Sequence, residues 1–116
     1  MNAAEFLGKH ITVQIDRAAG SPHPRHGYIY PVNYGFVPGT LSGDGEEVDA
    51  YVLGVTEPLT QFTGRCIALI HRTNDDDDKL IVVPDGLVLS VVEIRAAVDF
   101  QERYFESQVV LPGTKG

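Results

Sequence analysis

The chain has 116 residues, 43% of them apolar and 22% charged, with sixteen acidic against nine basic side chains and a formal net charge of −7. A chain of this length builds one core and buries about 65% of the surface its unfolded form exposes, so one domain over residues 1–116 is expected. It holds no apolar run near the roughly 18 residues that cross a bilayer, and no basic stripe that would hold a phosphate backbone against the acidic balance, so neither membrane nor nucleic acid is an expected partner.

The opening segment, residues 1–9, shows no basic stretch followed by an apolar one. No secretory signal is expected there, and a cytoplasmic location is. Residues 10–16, His-Ile-Thr-Val-Gln-Ile-Asp, alternate apolar and polar with β-branched enrichment and predict a half-buried strand. The Pro/His-rich stretch 18–24 breaks it. Residues 28–37 are expected to be extended, because Pro31 biases Tyr30 toward β geometry and Pro38-Gly39 makes a turn.

Three further β-like runs, 48–54, 65–71 and 79–83, are separated by Gly, Pro or acidic loops. Five short strands in about 75 residues predict a small OB-like five-stranded barrel in a mainly β, α+β fold. The lone cysteine, Cys66, lies inside an apolar run and reads as a buried structural thiol. Ser90-Val91-Val92-Glu93 forms a capping box, and Ile94, Ala97, Val98, Gln101, Tyr104 and Phe105 follow at near-helical spacing. They predict one C-terminal helix over residues 90–107, followed by a strand-like piece at 109–111.

Two acidic clusters carry the chemistry. Asp44, Glu46 and Asp49 surround Gly45, and Asp75 to Asp78 precede Lys79 at the mouth of an apolar strand. Read alone, the first cluster is more readily a solvated loop, and the second is as readily one. Four adjacent like charges repel unless water, salt or a cation compensates, and two such clusters on one barrel face make a hard-cation site. Neither has the ligand alternation of a twelve-residue calcium loop. Tyr30 and Tyr34 are ordinary aromatics unless their hydroxyls aim at the acids. Asn33 reads as a turn residue, and His71 as a hydrogen-bonded strand residue.

Tyr30-Pro31-Val32-Asn33-Tyr34-Gly35, then Asp44-Gly45-Glu46-Glu47-Val48-Asp49, then Asp77-Asp78-Lys79 before a strand, resemble soluble family I inorganic pyrophosphatases over residues 11–104. The resemblance implies an OB-like barrel, Mg²⁺-dependent (or Mn²⁺-dependent) hydrolysis of a small phosphate substrate, pyrophosphate, to two phosphates, and self-association into a homo-oligomer. It implies Asp44, Asp49, Asp75 and Asp77 as metal ligands, with Asn74 as the other placement for the third. Glu46 matches the acceptor of the attacking water's proton, and Tyr34 a tyrosine beside it. Lys79, Tyr104 and Tyr30 match substrate contacts, and Asp16 matches an acid on the first strand.

The chain departs from that pattern in three places. Glu46 is one methylene longer than the usual aspartate, a displacement of about 1 Å that can cost about 10²-fold in rate. Phe105 stands where a phosphate-binding lysine usually follows the tyrosine. The hairpin before the Tyr-Pro motif is missing; Arg17, His23, Arg25 and His26 lie in that interval, and Arg17 and His23 are the preferred replacement contacts. The rival readings are hydrolysis of another phosphoanhydride or phosphate ester, and a non-catalytic OB-like binding module.

Overall fold

The computed structural model describes residues 3–25, 27–40, 45–73 and 77–112. A short 3-10 turn, Ala3–Phe6, leads into strands β1 (His10–Arg17), β2 (Asn33–Val37), β3 (Val48–Val52), β4 (Gln61–Arg72) and β5 (Asp78–Val83). Helix α1 (Val91–Glu102) and strand β6 (Ser107–Val110) complete the described elements. The strands run β1-β2-β3-β5-β4, and β4 pairs back onto β1, closing a five-stranded barrel. Every pairing around it is antiparallel except β3 with β5. Closure leaves the barrel no free edge. The twelve-residue β4 pairs β1 through its first half and β6 through its last residues.

Two apolar clusters explain why β3 and β5 lack a simple alternation of apolar and polar residues. Val48, Ala50, Val52, Leu80 and Val82 fill the barrel interior together with Val13, Cys66 and Leu69. The opposite faces of the same strands, Tyr51, Leu53, Ile81 and Val83, pack under Ile94 and Val98 of α1. Strands covered on both faces read as apolar runs. Asp49 and Lys79 share the helix-side face of β3 and β5 by the two-residue period.

Four boundaries differ from those expected. The 28–37 stretch splits at Pro31: only Asn33–Val37 joins the sheet, while Ile29 forms an isolated bridge with Pro22. Strand β4 starts at Gln61. Strand β6 starts at Ser107. Helix α1 ends at Glu102, because the Tyr104 and Phe105 amides bond three residues back, to Gln101 and Glu102, and close the last turn tightly. Its start is as expected: Ser90 accepts from the Glu93 amide at 3.1 Å, and Glu93 accepts from the Ser90 amide at 3.0 Å.

Asn33 is a fully buried strand residue, not a turn residue. Its carboxamide oxygen accepts from the Ala19 and Leu59 amides, and its nitrogen donates to the Glu57 carbonyl, so one side chain ties two loops to β2. His71 lies opposite Asp78 across β4 and β5 and bonds it at 2.6 Å. Cys66 is buried, and burial pushes its thiol up to about 11. Among the described residues no helix is long and apolar enough to cross a membrane.

Candidate active site

A cleft of about 660 Å³ opens beside the C-terminal end of α1. Its position follows from strand register. Asp49 and Lys79 are direct partners in the parallel β3–β5 pair, and the Lys79 ammonium donates to Asp49 Oδ2 at 2.5 Å. Asp77 precedes Lys79 by two residues, on the same side of the chain, and accepts from the same ammonium at 2.7 Å. Tyr34 lies opposite Tyr51 in β2–β3, diagonal to Asp49, and its hydroxyl donates to Asp49 Oδ2 at 2.9 Å. Three strands thus converge on one carboxylate oxygen.

Strand β1 reaches the same place through a bulge. Ile15 pairs Gly35 and Arg17 pairs Tyr34, which makes Asp16 the extra residue and turns both Asp16 and Arg17 onto the cleft wall. The close approach requires glycine in the Tyr-Gly pair: a Cβ on Gly35 would lie 1.9 Å from the Gln14 carbonyl oxygen. Burial raises the Asp16 carboxyl above its usual range against the pull of Arg17, and the Asp49 charge adds to the rise.

A group raised on folding contributes stability below its unfolded pKa and loses that contribution as pH climbs through the folded value. We therefore expect Asp16→Asn to melt above the parent at pH 7 without divalent cations, with the difference gone below about pH 3.5, under the usual aspartate value. Melts at the two pH values check this. A variant that melts lower than the parent at pH 7 contradicts the sign.

A second polar network underlies the cleft. Glu102, the last residue of α1, accepts from Arg72 Nε at 3.0 Å and Nη2 at 2.7 Å, and from the Tyr51 hydroxyl at 2.6 Å. Gln101 donates to Tyr51 at 2.7 Å and accepts from Tyr30 at 2.9 Å and Tyr28 at 3.1 Å. Arg72 Nη1 stands 3.6 Å from Asp77 Oδ2, and the Phe105 ring centre lies 3.6 Å from its guanidinium carbon. Burial acts to lower the Arg72 pKa, but the bonds and charge of Glu102 outweigh it and hold the guanidinium charged. Burial, with Asp49 for Tyr34 and Glu102 for Tyr51, raises both phenols, so each stays a donor at neutral pH. Among the described residues no buried side-chain nitrogen or oxygen lacks a partner.

The cleft lining thus brings together Tyr34, Asp49, Lys79, Tyr30, Tyr104, Arg17 and His23 of the residues singled out from sequence, with Asp77 held at its edge by Lys79. Glu46 lies apart, lining a recess of about 250 Å³ with Glu47, Asp16 and Asp49. Asp44, Asp75, Asn74 and His26 fall outside the described residues. Two placements differ from expectation. The Tyr30 hydroxyl aims at Gln101 and not at an acid, and Tyr104 sits beyond the helix at the cleft mouth, 64% exposed. Arg25 does not line the cleft; its amide donates to His23 Nδ1 at 3.0 Å.

Arg72, Glu102, Gln101 and Tyr51 were not singled out from sequence as site residues. A signal existed for two of them: Gln101 and Glu102 continue the buried stripe begun by Ile94 and Val98, where apolar side chains are the rule. Polar groups in such a stripe need partners.

The carboxylates on offer for a cation, those of Asp16, Glu46, Glu47, Asp49 and Asp77, present oxygen donors, which is the chemistry of a hard divalent ion. The Lys79 ammonium already bridges Asp49 and Asp77, so positive charge is what that spot accepts. Among the described residues no three His, Cys, Asp or Glu side chains gather closely enough to hold a metal by themselves. The two acids implied beside them, Asp44 and Asp75, lie outside those residues.

A profile of the inorganic pyrophosphatase family matches residues 9–108. The chain is 33% identical over 90 residues to inorganic pyrophosphatase 1 of Pseudomonas syringae pv. tomato, covering 73% of this chain and 49% of that protein. It is 35% identical over 90 residues to the inorganic pyrophosphatase of Pseudomonas aeruginosa, with the same coverage. The chain therefore spans about half the length of these curated relatives. Its fold superposes on the inorganic pyrophosphatase of Ehrlichia chaffeensis with a TM-score of 0.68 at 22% identity, covering 88% of this chain and 85% of that one. For the Helicobacter pylori enzyme the TM-score is 0.63 at 24% identity, covering 90% and 82%.

Proposed function

Because this chain belongs to the inorganic pyrophosphatase family, we propose that it hydrolyses inorganic pyrophosphate to two phosphates with Mg²⁺ or Mn²⁺, as a cytoplasmic homo-oligomer built on a single domain. The observation that carries the reading is the convergence of Tyr34, Lys79 and Asp77 around Asp49 on the cleft wall. Asp49 and Asp77, with Asp44 and Asp75, would hold the cation. A bound divalent ion supplies Lewis acidity, neutralising phosphate charge and acidifying water.

The chain's own groups do the rest. Tyr34 holds Asp49 by a hydrogen bond and, as a phenol kept protonated, orients that carboxylate without competing for its charge. Lys79, fixed between two acids and 3% exposed, offers a positive contact of set position. Arg17 and His23 face the same cleft from the β1 side, and Tyr104 from its mouth. Glu46, in the recess that shares Asp16 and Asp49 with the cleft, is the proton acceptor from the attacking water.

The test is phosphate release from pyrophosphate with Mg²⁺ or Mn²⁺, against a chelated control and a panel of nucleotides and phosphate esters. Metal-dependent release from pyrophosphate is expected. Release only from another substrate moves the assignment to that phosphoanhydride or ester, and no release at micromolar enzyme leaves the binding-module reading.

A further inference from the structure

We propose that Arg72 is a substrate-binding residue of this cleft: a guanidinium preset by Glu102 and Phe105 to receive an oxygen of a diphosphate anion. The proposal rests on the pyrophosphatase reading and adds to it a residue that the motifs do not contain.

Strand pairing places the side chain. Arg72 ends the β4 ladder against β5: His71 is the partner of Asp78, and the Arg72 amide donates to the Asp77 carbonyl at 2.9 Å. Three neighbours then orient the guanidinium. Glu102 takes the edge formed by Nε and Nη2, Phe105 covers the plane, and the end at Nη1 faces Asp77 at 3.6 Å. Arg72 lines the cleft beside Lys79, so an anion that reaches the Lys79 ammonium meets this end of the fork.

A planar guanidinium suits phosphate oxygens in geometry and keeps its charge at every relevant pH. One that is already immobilised loses little side-chain freedom when the anion arrives. Stability alone does not call for it, because a buried ion pair contributes about as much as apolar side chains of the same volume. The location is also informative. Position 105, after Tyr104, carries a phenylalanine, and the ring of that residue is the surface on which the Arg72 cation rests. Positive charge reaches this part of the wall from β4.

The experiment titrates methylenediphosphonate, a non-hydrolysable diphosphate, into the full chain with Mg²⁺ and compares the parent with Arg72→Met/Glu102→Gln. The glutamine oxygen keeps an acceptor for Tyr51, so the pair is removed without burying a lone charge. The dissociation constant is expected to weaken by roughly 10–100-fold, the range for one charged hydrogen bond, and KM for pyrophosphate to rise more than kcat falls. Adding Phe105→Lys to that variant returns a cation to the wall and is expected to regain affinity.

An unchanged dissociation constant in the double variant overturns the proposal. So does a loss that Phe105→Lys does not reduce, since the cleft rather than the charge would then be at fault. Should the double variant fail to fold, Arg72→Lys with Glu102 intact takes its place; a several-fold rise in KM supports the proposal and an unchanged KM overturns it. A parent that binds the diphosphonate yet hydrolyses no pyrophosphate defeats the functional reading while binding still decides Arg72. A parent that binds no diphosphonate defeats both.

Discussion

Asp49→Asn should lower metal-dependent phosphate release by about 10³-fold while leaving the barrel folded. That factor corresponds to about 4 kcal/mol of transition-state stabilisation, the scale of one ionic contribution at a reacting phosphate. Side chains of β2 and β5 both act on Asp49: Tyr34 donates to its Oδ2 from one side and Lys79 from the other. Asparagine keeps the shape and one acceptor for Tyr34. It presents an amide in place of a charge to Lys79 and to any divalent ion, and hard cations favour carboxylate oxygen.

Folding should suffer little, because Lys79 keeps Asp77 at 2.7 Å. The paired measurements are initial rates at saturating Mg²⁺ and the melting temperature with and without the ion. A rate within tenfold of the parent would mean that Asp49 merely anchors Lys79, and the metal-site assignment would fall with it. Loss of the ion's stabilising shift in the melt should accompany loss of rate, since an ion bound to the folded state alone stabilises it by mass action.

Much of the barrel was readable because its strands announce themselves. His10–Arg17 alternates apolar and polar residues, the β3 and β5 segments are apolar runs bounded by acids and prolines, and Ser90 with Glu93 marks the helix start. Strand order was not readable in the same way. That Asp49 and Lys79 touch follows from the parallel β3–β5 pairing, a contact between strands separated by the whole of β4, and no local pattern encodes it. Motif resemblance put both residues in one site; register explains how they meet.

The helix end misled because Tyr104 and Phe105 keep the apolar spacing while belonging to a turn that carries their rings over Arg72 and the cleft mouth. Arg72 was hidden for the opposite reason. At the end of an apolar strand it looks like the residue where a strand simply reaches water, and it is covered by Glu102, from 30 residues further on, and by the Phe105 ring.

That burial makes Glu102→Ala the substitution with the largest expected effect on stability. Arg72 and Glu102 are 6% and 5% exposed, and each would be disfavoured without the other. Arg72 would be a lone charge out of water, and Glu102 an anion at the negative end of the α1 dipole. Removing the carboxylate leaves the guanidinium over Phe105 without its two hydrogen bonds and takes the acceptor from the Tyr51 hydroxyl. Breaking one side of a buried pair costs about 3–5 kcal/mol, and for a domain of this size that lowers the melting temperature by roughly 12–20 °C. Asp77, 3.6 Å from Nη1, recovers part of the loss if the guanidinium swings toward it, which places the result at the lower end of the range. Arg72→Met/Glu102→Gln removes both charges and should melt well above Glu102→Ala, as it leaves no uncompensated ion behind. Thermal unfolding of the single and double variants completes the comparison. A single variant within about 1 kcal/mol of the parent would show that water reaches Arg72 and that the pair is not the buried clamp its distances describe, because exposed ion pairs are worth no more than that.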